Sequence, residues 1–329
     1  MNVPRQTVIY STDENFWPHT YVSLHSLLVN NQDVSFDVRI LAEAPNEQFF
    51  AHIARLQRLH GDVEISWLPV EDHLFADVPI LVSYFTKATY YRLLIGRLLP
   101  GTVRRVLYLD GDTIVRGSLR DLFTLDIDDW VLAATPEYDP LFPPTRLGLP
   151  EGTPYFNAGV LVFNLDNWRD LQIEKRCLEF IQANISNPSR LKFADQDVLN
   201  AVLVGKWRSI GPAFNFNKWT ADPQRLNDFD PGTQIGEQIP ASGPAIVHYV
   251  GWIKPWHGGH SYDSDYWYYR MQTPYADRLK LVRCKLVGVV RVVRMVRRRL
   301  VGVVRKLPRG NSILRVVQTV MRRQPMGSE

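Results

Sequence analysis

Cysteine is nearly absent: Cys177 and Cys284 are the two in 329 residues. Two thiols cannot build a disulfide framework, and they lack zinc-site spacing. The count fits a chain that works in a reducing cytoplasm. Long apolar runs are missing as well. With no stretch of about 18 uninterrupted apolar residues, no transmembrane helix is expected. Met1–Phe16 holds one basic residue, no apolar h-region and the acids Asp13 and Glu14, so no secretory signal is expected. Against these absences stand 45% hydrophobic and 12% aromatic residues. That composition excludes intrinsic disorder and allows a sizeable core.

Acids are missing from one end. From Arg278 onward there are 15 Lys and Arg against the single acid Glu329, a balance of +14, while residues 1–277 carry −10. The chain therefore reads as an acidic body, residues 1–277, and a basic tail, residues 278–329. In the tail, Leu286, Val289, Val293, Val296, Leu300, Val303, Val304 and Leu307 fall on one helical face, with Arg291, Arg294, Arg298, Arg305 and Arg309 roughly opposite. A basic amphipathic segment over residues 280–323 predicts attachment to an anionic membrane surface. Valine is a mediocre helix former, so the surface helps the helix form. Nucleic acid is not expected as a partner, because stacking aromatics are absent after Tyr275.

The body alternates strand and helix patterns. Apolar or β-branched runs at Thr7–Ser11, Phe36–Leu41, Val63–Leu68, Arg104–Leu109, Val131–Thr135, Gly159–Asn164 and Ala245–Tyr249 read as strands. Helical spacing marks Tyr21–Asn30, Glu47–His60, Thr89–Leu99, Gln172–Asn184 and Val198–Val204. This order predicts an α/β fold with a mostly parallel sheet covered by helices on both faces. Ligand sites in such sheets lie beyond the carboxyl ends of the strands, which draws attention to Thr12–Asn15. The proline-rich excursion Glu137–Tyr155 reads as a lid or substrate loop.

Four short motifs carry chemistry. Asp110 and Asp112 follow an apolar strand and flank Gly111; a bare acidic turn is common, but a buried strand fixes where both carboxylates point, and hard oxygens suit Mg²⁺ or Mn²⁺. His248 follows a strand in HYVGWIKPWH, as a packing residue or as a nitrogen ligand that favours Mn²⁺. In the same motif Gly251 permits close backbone approach, Lys254 supplies a cation, and Trp252 is expected to pack. Asn157-Ala158-Gly159 forms a small-residue turn, Asn157 being both donor and acceptor. Asp195-Gln196-Asp197 opens a helix, where the acids serve as cap and dipole partner or as site residues; Gln196 has no capping advantage.

Their order along the chain resembles the retaining glycosyltransferases of family 8. The matching stretches are Thr12–Asn15, Tyr90–Arg92, Val106–Val115, Phe156–Asn167, Asp195–Asn200, Phe214–Asn217 and His248–His257, within about residues 6–260. The resemblance implies a GT-A-type, Rossmann-like mixed sheet flanked by helices, ahead of the basic tail. It implies that Asp110, Asp112 and His248 hold manganese (or magnesium) on the diphosphate of a UDP-sugar, a UDP-hexose in particular. Ser11, Asp13 and Asn15 then face uracil and ribose. Arg92, Asn157, Ala158 and Asp195 surround the donor sugar, Gly251 and Lys254 contact phosphate, and Gln196 faces the anomeric carbon. Asp197 is the alternative nucleophile. Gly111, often apolar in relatives, is expected to add flexibility between the two acids. The acceptor implied is a saccharide or a lipid-linked sugar, and the place of work the inner face of the cytoplasmic membrane. A nucleotidyltransferase would want an early Gly- and Arg-rich phosphate loop, which Ser11–Asn15 lacks. The alternative outside enzymes is a non-catalytic sugar-nucleotide-binding or membrane-surface scaffold.

Overall fold

The computed structural model of the chain describes residues 5–83, 85–137, 142–217, 236, 238–258 and 262–287. It divides into two compact units, Met1–Trp252 with Tyr268–Ala276, and Ile253–Trp267 with Asp277–Glu329.

The first unit contains nine strands among the described residues: β1 (Gln6–Ser11), β2 (Phe36–Ala42), β3 (Val63–Pro69), β4 (Arg105–Leu109), β5 (Thr113–Val115), β6 (Leu132–Pro136), β7 (Phe156–Asn164), β8 (Trp207–Ser209) and β9 (Ile246–His248). Seven form one sheet in the order β3-β2-β1-β4-β7-β6-β8, and β5 pairs with β9 separately. The pairs β1–β2, β2–β3, β1–β4 and β6–β8 are parallel, as the sequence leads one to expect. The exception is β7, which runs antiparallel to both β4 and β6.

Alternation along each strand builds two cores, because successive side chains leave opposite faces of a sheet. Val8, Tyr10, Leu107, Leu109, Val160 and Val162 enter one; Ile9, Val106, Tyr108, Leu161 and Phe163 enter the other. Helices α1 (Trp17–Asn30) and α2 (Glu47–Leu59) cover the first face with Tyr21, Leu24, Phe49 and Ile53. The short α3 (Ile95–Leu98) packs into the second core and α4 (Arg120–Thr124) into the first. Next come α5 (Leu165–Asp170), α6 (Ile173–Asn184) and α7 (Ala194–Val202), which bury Trp168, Cys177 and Val198 on the second face. Among these, Leu24, Phe49, Ile53 and Val198 each contribute about 1.5–3 kcal/mol by leaving water.

The helix expected over Thr89–Leu99 is mostly a 3₁₀ helix, Lys87–Leu94. Residues three apart eclipse in that winding, and it stacks Thr89 over Arg92 so that both reach Asp195. Trp252, expected to pack, is 66% exposed.

In the second unit the turn Pro255–His257 is followed by helical residues 278–287. Cys284 is buried and donates to the Trp256 carbonyl at 3.3 Å. Leu279, Val282 and Leu286 are exposed beside Arg278, Lys280, Arg283 and Lys285. The remainder of the expected amphipathic segment, residues 288–323, lies outside the described residues. Among the described residues, no helix is long and apolar enough to cross a membrane.

Candidate active site

The site stands beyond the C-terminal ends of β1 and β4. The Asp110-Gly111-Asp112 turn leaves β4 and feeds β5, held by the Thr113 N–H on the Asp110 carbonyl at 3.1 Å. Antiparallel pairing of β5 with β9 places His248 opposite Thr113, and so beside the turn. Its Nε2 lies 3.3 Å from Asp112 Oδ1 and 3.7 Å from Asp110 Oδ2. One donor atom from each of Asp110, Asp112 and His248 lies within 4.8 Å of the others. Two carboxylate oxygens and an imidazole nitrogen at that separation form a donor set suited to a divalent cation.

Gly111, expected from the sequence to add flexibility, has a steric reason in the structure. It is buried, and a Cβ there would lie 3.1 Å from two Phe16 ring carbons. The glycine lets the start of α1 pack against the turn.

Arg92 ties the acidic turn to α7. Its Nη2 donates to Asp110 Oδ1 at 2.7 Å, its Nη1 donates to the Ala158 carbonyl, and its Nε lies 2.9 Å from Asp195 Oδ2. The guanidinium rests on the Tyr108 ring, 4.2 Å from its centre. Tyr108 also donates to Asp110 Oδ1, at 3.0 Å. One oxygen of Asp110 is thereby occupied by protein donors, and the other turns to His248. Burial opposes charge on Arg92, but the Asp110 and Asp195 carboxylates outweigh it and move its pKa up. At Asp195 burial wins over Arg92 and the Thr89 hydroxyl, and the carboxyl is pushed up to about 6.

The β6–β7 register slips between Ala134 and Thr135, leaving Ala158–Val160 of β7 without a partner on β6. Bulges near active sites re-aim backbone and side chains. Here the Ala158 N–H donates to Gln196 Oε1 at 3.0 Å, and the Gly159 carbonyl accepts from the Asp110 N–H at 2.8 Å. A backbone N–H only donates, so the orientation of the Gln196 amide is fixed. Asn157 accepts from the Gly159 N–H at 2.9 Å and donates to Glu137 at 3.1 Å.

Asp197 has surroundings different from those of the paired acids. It is fully buried. Oδ1 accepts from Arg146 and from the Tyr155 hydroxyl at 2.7 Å; Oδ2 accepts from Arg146 Nη1 at 2.6 Å and the Phe193 N–H at 2.7 Å. Four donors match the lone-pair capacity of a carboxylate. Burial pushes the Tyr155 phenol up, which keeps it a donor. Ala194, just before Asp195, takes a left-handed φ of 52°, a strain the flanking contacts hold in place.

At the end of β1, Ser11 is buried, Asp13 is half-buried and Asn15 exposed. Asp13 Oδ1 accepts the Phe16 N–H at 2.8 Å. Asp13 and Asn15 line a cavity with Trp17, Pro45, Phe49 and Tyr91. Glu14 accepts from Asn46, whose own Oδ1 caps α2, so one pair fixes both rims. Gly251 follows β9 with a φ of 83°. Lys254 is buried in the second unit, just before its Pro255–His257 turn.

The sequence assigns no individual role to Thr89, Glu137, Arg146, Tyr155 or Asn215. The available signals were the expected lid or substrate loop Glu137–Tyr155 and the matching stretch Phe214–Asn217 with its two asparagines.

A family model described as Glycosyl transferase family 8 matches residues 7–259. The chain is 28% identical over 264 residues to a lipopolysaccharide 1,2-glucosyltransferase of Escherichia coli strain K12, spanning 79% of this chain and 75% of that protein. It is 28% identical over 277 residues to general stress protein A of Bacillus subtilis strain 168, spanning 81% and 93%. The crystal structure of galactosyltransferase LgtC in complex with donor and acceptor sugar analogues matches with a TM-score of 0.71 at 26% identity, covering 83% of this chain and 98% of that one. The architecture is the GT-A-type mixed sheet expected from the sequence. A match that runs from β1 past His248 takes in every element that builds the site, and on it the chain belongs to glycosyl transferase family 8.

Proposed function

We propose that the chain is a metal-dependent, retaining glycosyltransferase that moves glucose or galactose from a UDP-sugar to a saccharide or glycolipid acceptor, in the synthesis of surface polysaccharide or lipopolysaccharide. The meeting of Asp110, Asp112 and His248 carries this reading. The names of the similar proteins, a lipopolysaccharide glucosyltransferase and the galactosyltransferase LgtC, support a hexose donor, and the first supports a lipopolysaccharide acceptor. The nitrogen in the donor set favours Mn²⁺, with Mg²⁺ the harder alternative. A cation held by these three groups supplies a Lewis acid for the charge that develops on the departing diphosphate.

The chain's own residues do the rest. Asp13, Asn15 and Ser11 bind the nucleoside at the end of β1. Arg92 and Asp195, held together at 2.9 Å, orient the sugar. Gln196, its amide fixed by the Ala158 N–H, turns its remaining oxygen lone pair to the anomeric carbon and stabilises positive charge there. Retention by double displacement needs a free nucleophile. Asp197 is fully bonded and Gln196 is a neutral amide, which supports a front-face reaction: the sugar–phosphate bond breaks, the acceptor oxygen bonds to the same face, and its proton passes to the departing phosphate oxygen.

The test is release of UDP from UDP-glucose and UDP-galactose with and without Mn²⁺. Turnover of at least one donor, lost in excess chelator, is expected; no turnover of either with Mn²⁺ overturns the reading. The exposed Leu279, Val282 and Leu286 among basic residues support attachment of residues 280–323 to the inner face of the membrane. Truncation after Tyr275 is expected to abolish sedimentation with anionic liposomes while donor hydrolysis persists. Equal sedimentation of both forms removes the anchor.

A further inference from the structure

The imidazole of His248 has a second nitrogen, and its surroundings decide which one carries the proton. Nδ1 lies 2.9 Å from Asn215 Oδ1. Asn215 Nδ2 donates to Asn157 Oδ1 at 3.0 Å, and Asn157 Nδ2 donates to Glu137 Oε2 at 3.1 Å. All four side chains are buried. The direction of this chain of bonds is not a matter of choice. The Gly159 N–H is an obligate donor and lies 2.9 Å from Asn157 Oδ1, so Asn157 presents its oxygen there and its NH₂ to the carboxylate. An oxygen at that end requires Asn215 to turn its own NH₂ toward Asn157, and hence its oxygen toward His248. An oxygen at 2.9 Å then requires a proton on Nδ1.

We infer that Glu137, Asn157 and Asn215 form a directional relay that fixes His248 in its Nδ1–H tautomer and aims the Nε2 lone pair between Asp110 and Asp112. The three are positioning residues that act through His248. The inference rests on the reading of Asp110, Asp112 and His248 as a cation site. Ligating histidines depend on the partner of their other nitrogen, and loss of that partner typically weakens metal binding 10- to 100-fold. Asn157, which the family resemblance places around the donor sugar, has its oxygen and one amide hydrogen occupied within the relay. Glu137, the first residue after β6, anchors its far end.

The test uses the full chain. ¹⁵N-histidine NMR of the wild-type protein, with His248→Gln to assign the signal, is expected to show a solvent-protected Nδ1–H on His248 and no proton on Nε2 when Mg²⁺ and UDP saturate the site. An Nε2–H tautomer, or an Nδ1–H that exchanges freely, overturns the relay without any variant having to fold. Mn²⁺ binding in the presence of UDP, read by electron paramagnetic resonance, is the second measurement. Asn215→Leu is expected to weaken it at least tenfold and Glu137→Leu about tenfold, whereas Glu137→Gln, which still offers Asn157 an oxygen, stays within about threefold of wild type. Unchanged Mn²⁺ affinity in folded Asn215→Leu overturns the relay alone. Absence of Mn²⁺ uptake by the wild-type protein overturns the cation site on which the relay's purpose rests.

Discussion

Gly159 lies so close under His248 that a Cβ at that position would stand 2.6 Å from Nδ1 and 2.8 Å from Nε2 of the imidazole. The small residue in the Asn157-Ala158-Gly159 turn is there for the ring. Gly159→Ala forces one of them to move, and the backbone of a central strand yields less readily than a ring. Overpacking of this kind typically costs about 1–3 kcal/mol. The expected outcome is a lower unfolding temperature and Mn²⁺ affinity reduced at least tenfold. An alanine variant that binds Mn²⁺ as the wild type does would show that the ring position is irrelevant to the cation.

Asp110 and Asp112 separate folding from chemistry. Asp110 Oδ1 accepts from Arg92 and Tyr108, roles an amide oxygen can keep, while a neutral amide is a far poorer partner for a divalent cation. Asp110→Asn and Asp112→Asn are each expected to reduce UDP release at least 100-fold, with circular dichroism unchanged. A variant that retains a tenth of wild-type turnover would take the metal out of the mechanism.

The strands and the long helices were readable because each repeats a local pattern. Val8 to Tyr10 is an apolar run, Phe36 to Ile40 alternates apolar and charged residues, and the stripe of Phe49, Ile53 and Leu56 has helical spacing. The direction of β7 was not readable: a strand buried on both faces looks the same in either sense. The 3₁₀ winding of Lys87–Leu94 was hidden because its residues fit helical spacing, and its purpose, Thr89 and Arg92 on one carboxylate, lies in α7. Asp110 and Asp112 announce themselves by spacing, whereas His248 reaches them only through β5–β9 pairing. Asn157 is legible as a site residue, but its link to Glu137 and Asn215 was hidden for the same reason. Each bond in that chain joins segments distant in sequence, and no periodicity marks them.

Asp195 gives the folded protein a pH signature. Its carboxyl is pushed up to about 6 by burial, from an ordinary value of 3.8. Between those values the folded state holds a proton that the unfolded state has released. Stability from this group is therefore full below about pH 4, falls as pH rises to about 6, and is level above that. His25, His52 and His60 act in the opposite sense, because burial lowers each one and stability is lost as they take up protons in acid. Asp195→Asn isolates the first effect. The difference in unfolding free energy between wild type and variant, followed by urea denaturation from pH 4 to pH 7, is expected to change by on the order of 2 kcal/mol in favour of the variant as pH rises. A difference that stays flat across this range would mean that Asp195 is ionised throughout.

Arg146 and Asp197 clamp the described part of the proline-rich excursion to the start of α7, and the two side chains have different exposure: Asp197 is fully buried and Arg146 is 14% exposed. Removing the guanidinium leaves a buried carboxylate with only Tyr155 and the Phe193 N–H as donors. Loss of one partner from such a pair typically costs about 3–5 kcal/mol. Arg146→Leu and Asp197→Asn are both expected to lower stability by roughly that order and to make residues 142–155 more sensitive to protease. Their effects on UDP release distinguish a clamp from a nucleophile. A clamp predicts parallel, partial losses in the two variants, since each loosens the Arg146–Asp197 pair that sets Tyr155 and through it Gln196, 3.4 Å away. A nucleophile predicts that Asp197→Asn abolishes transfer while Arg146→Leu, with the carboxylate still present and less encumbered, keeps it or gains. The second pattern would restore double displacement and require the Asp197 carboxylate to leave its four donors during turnover.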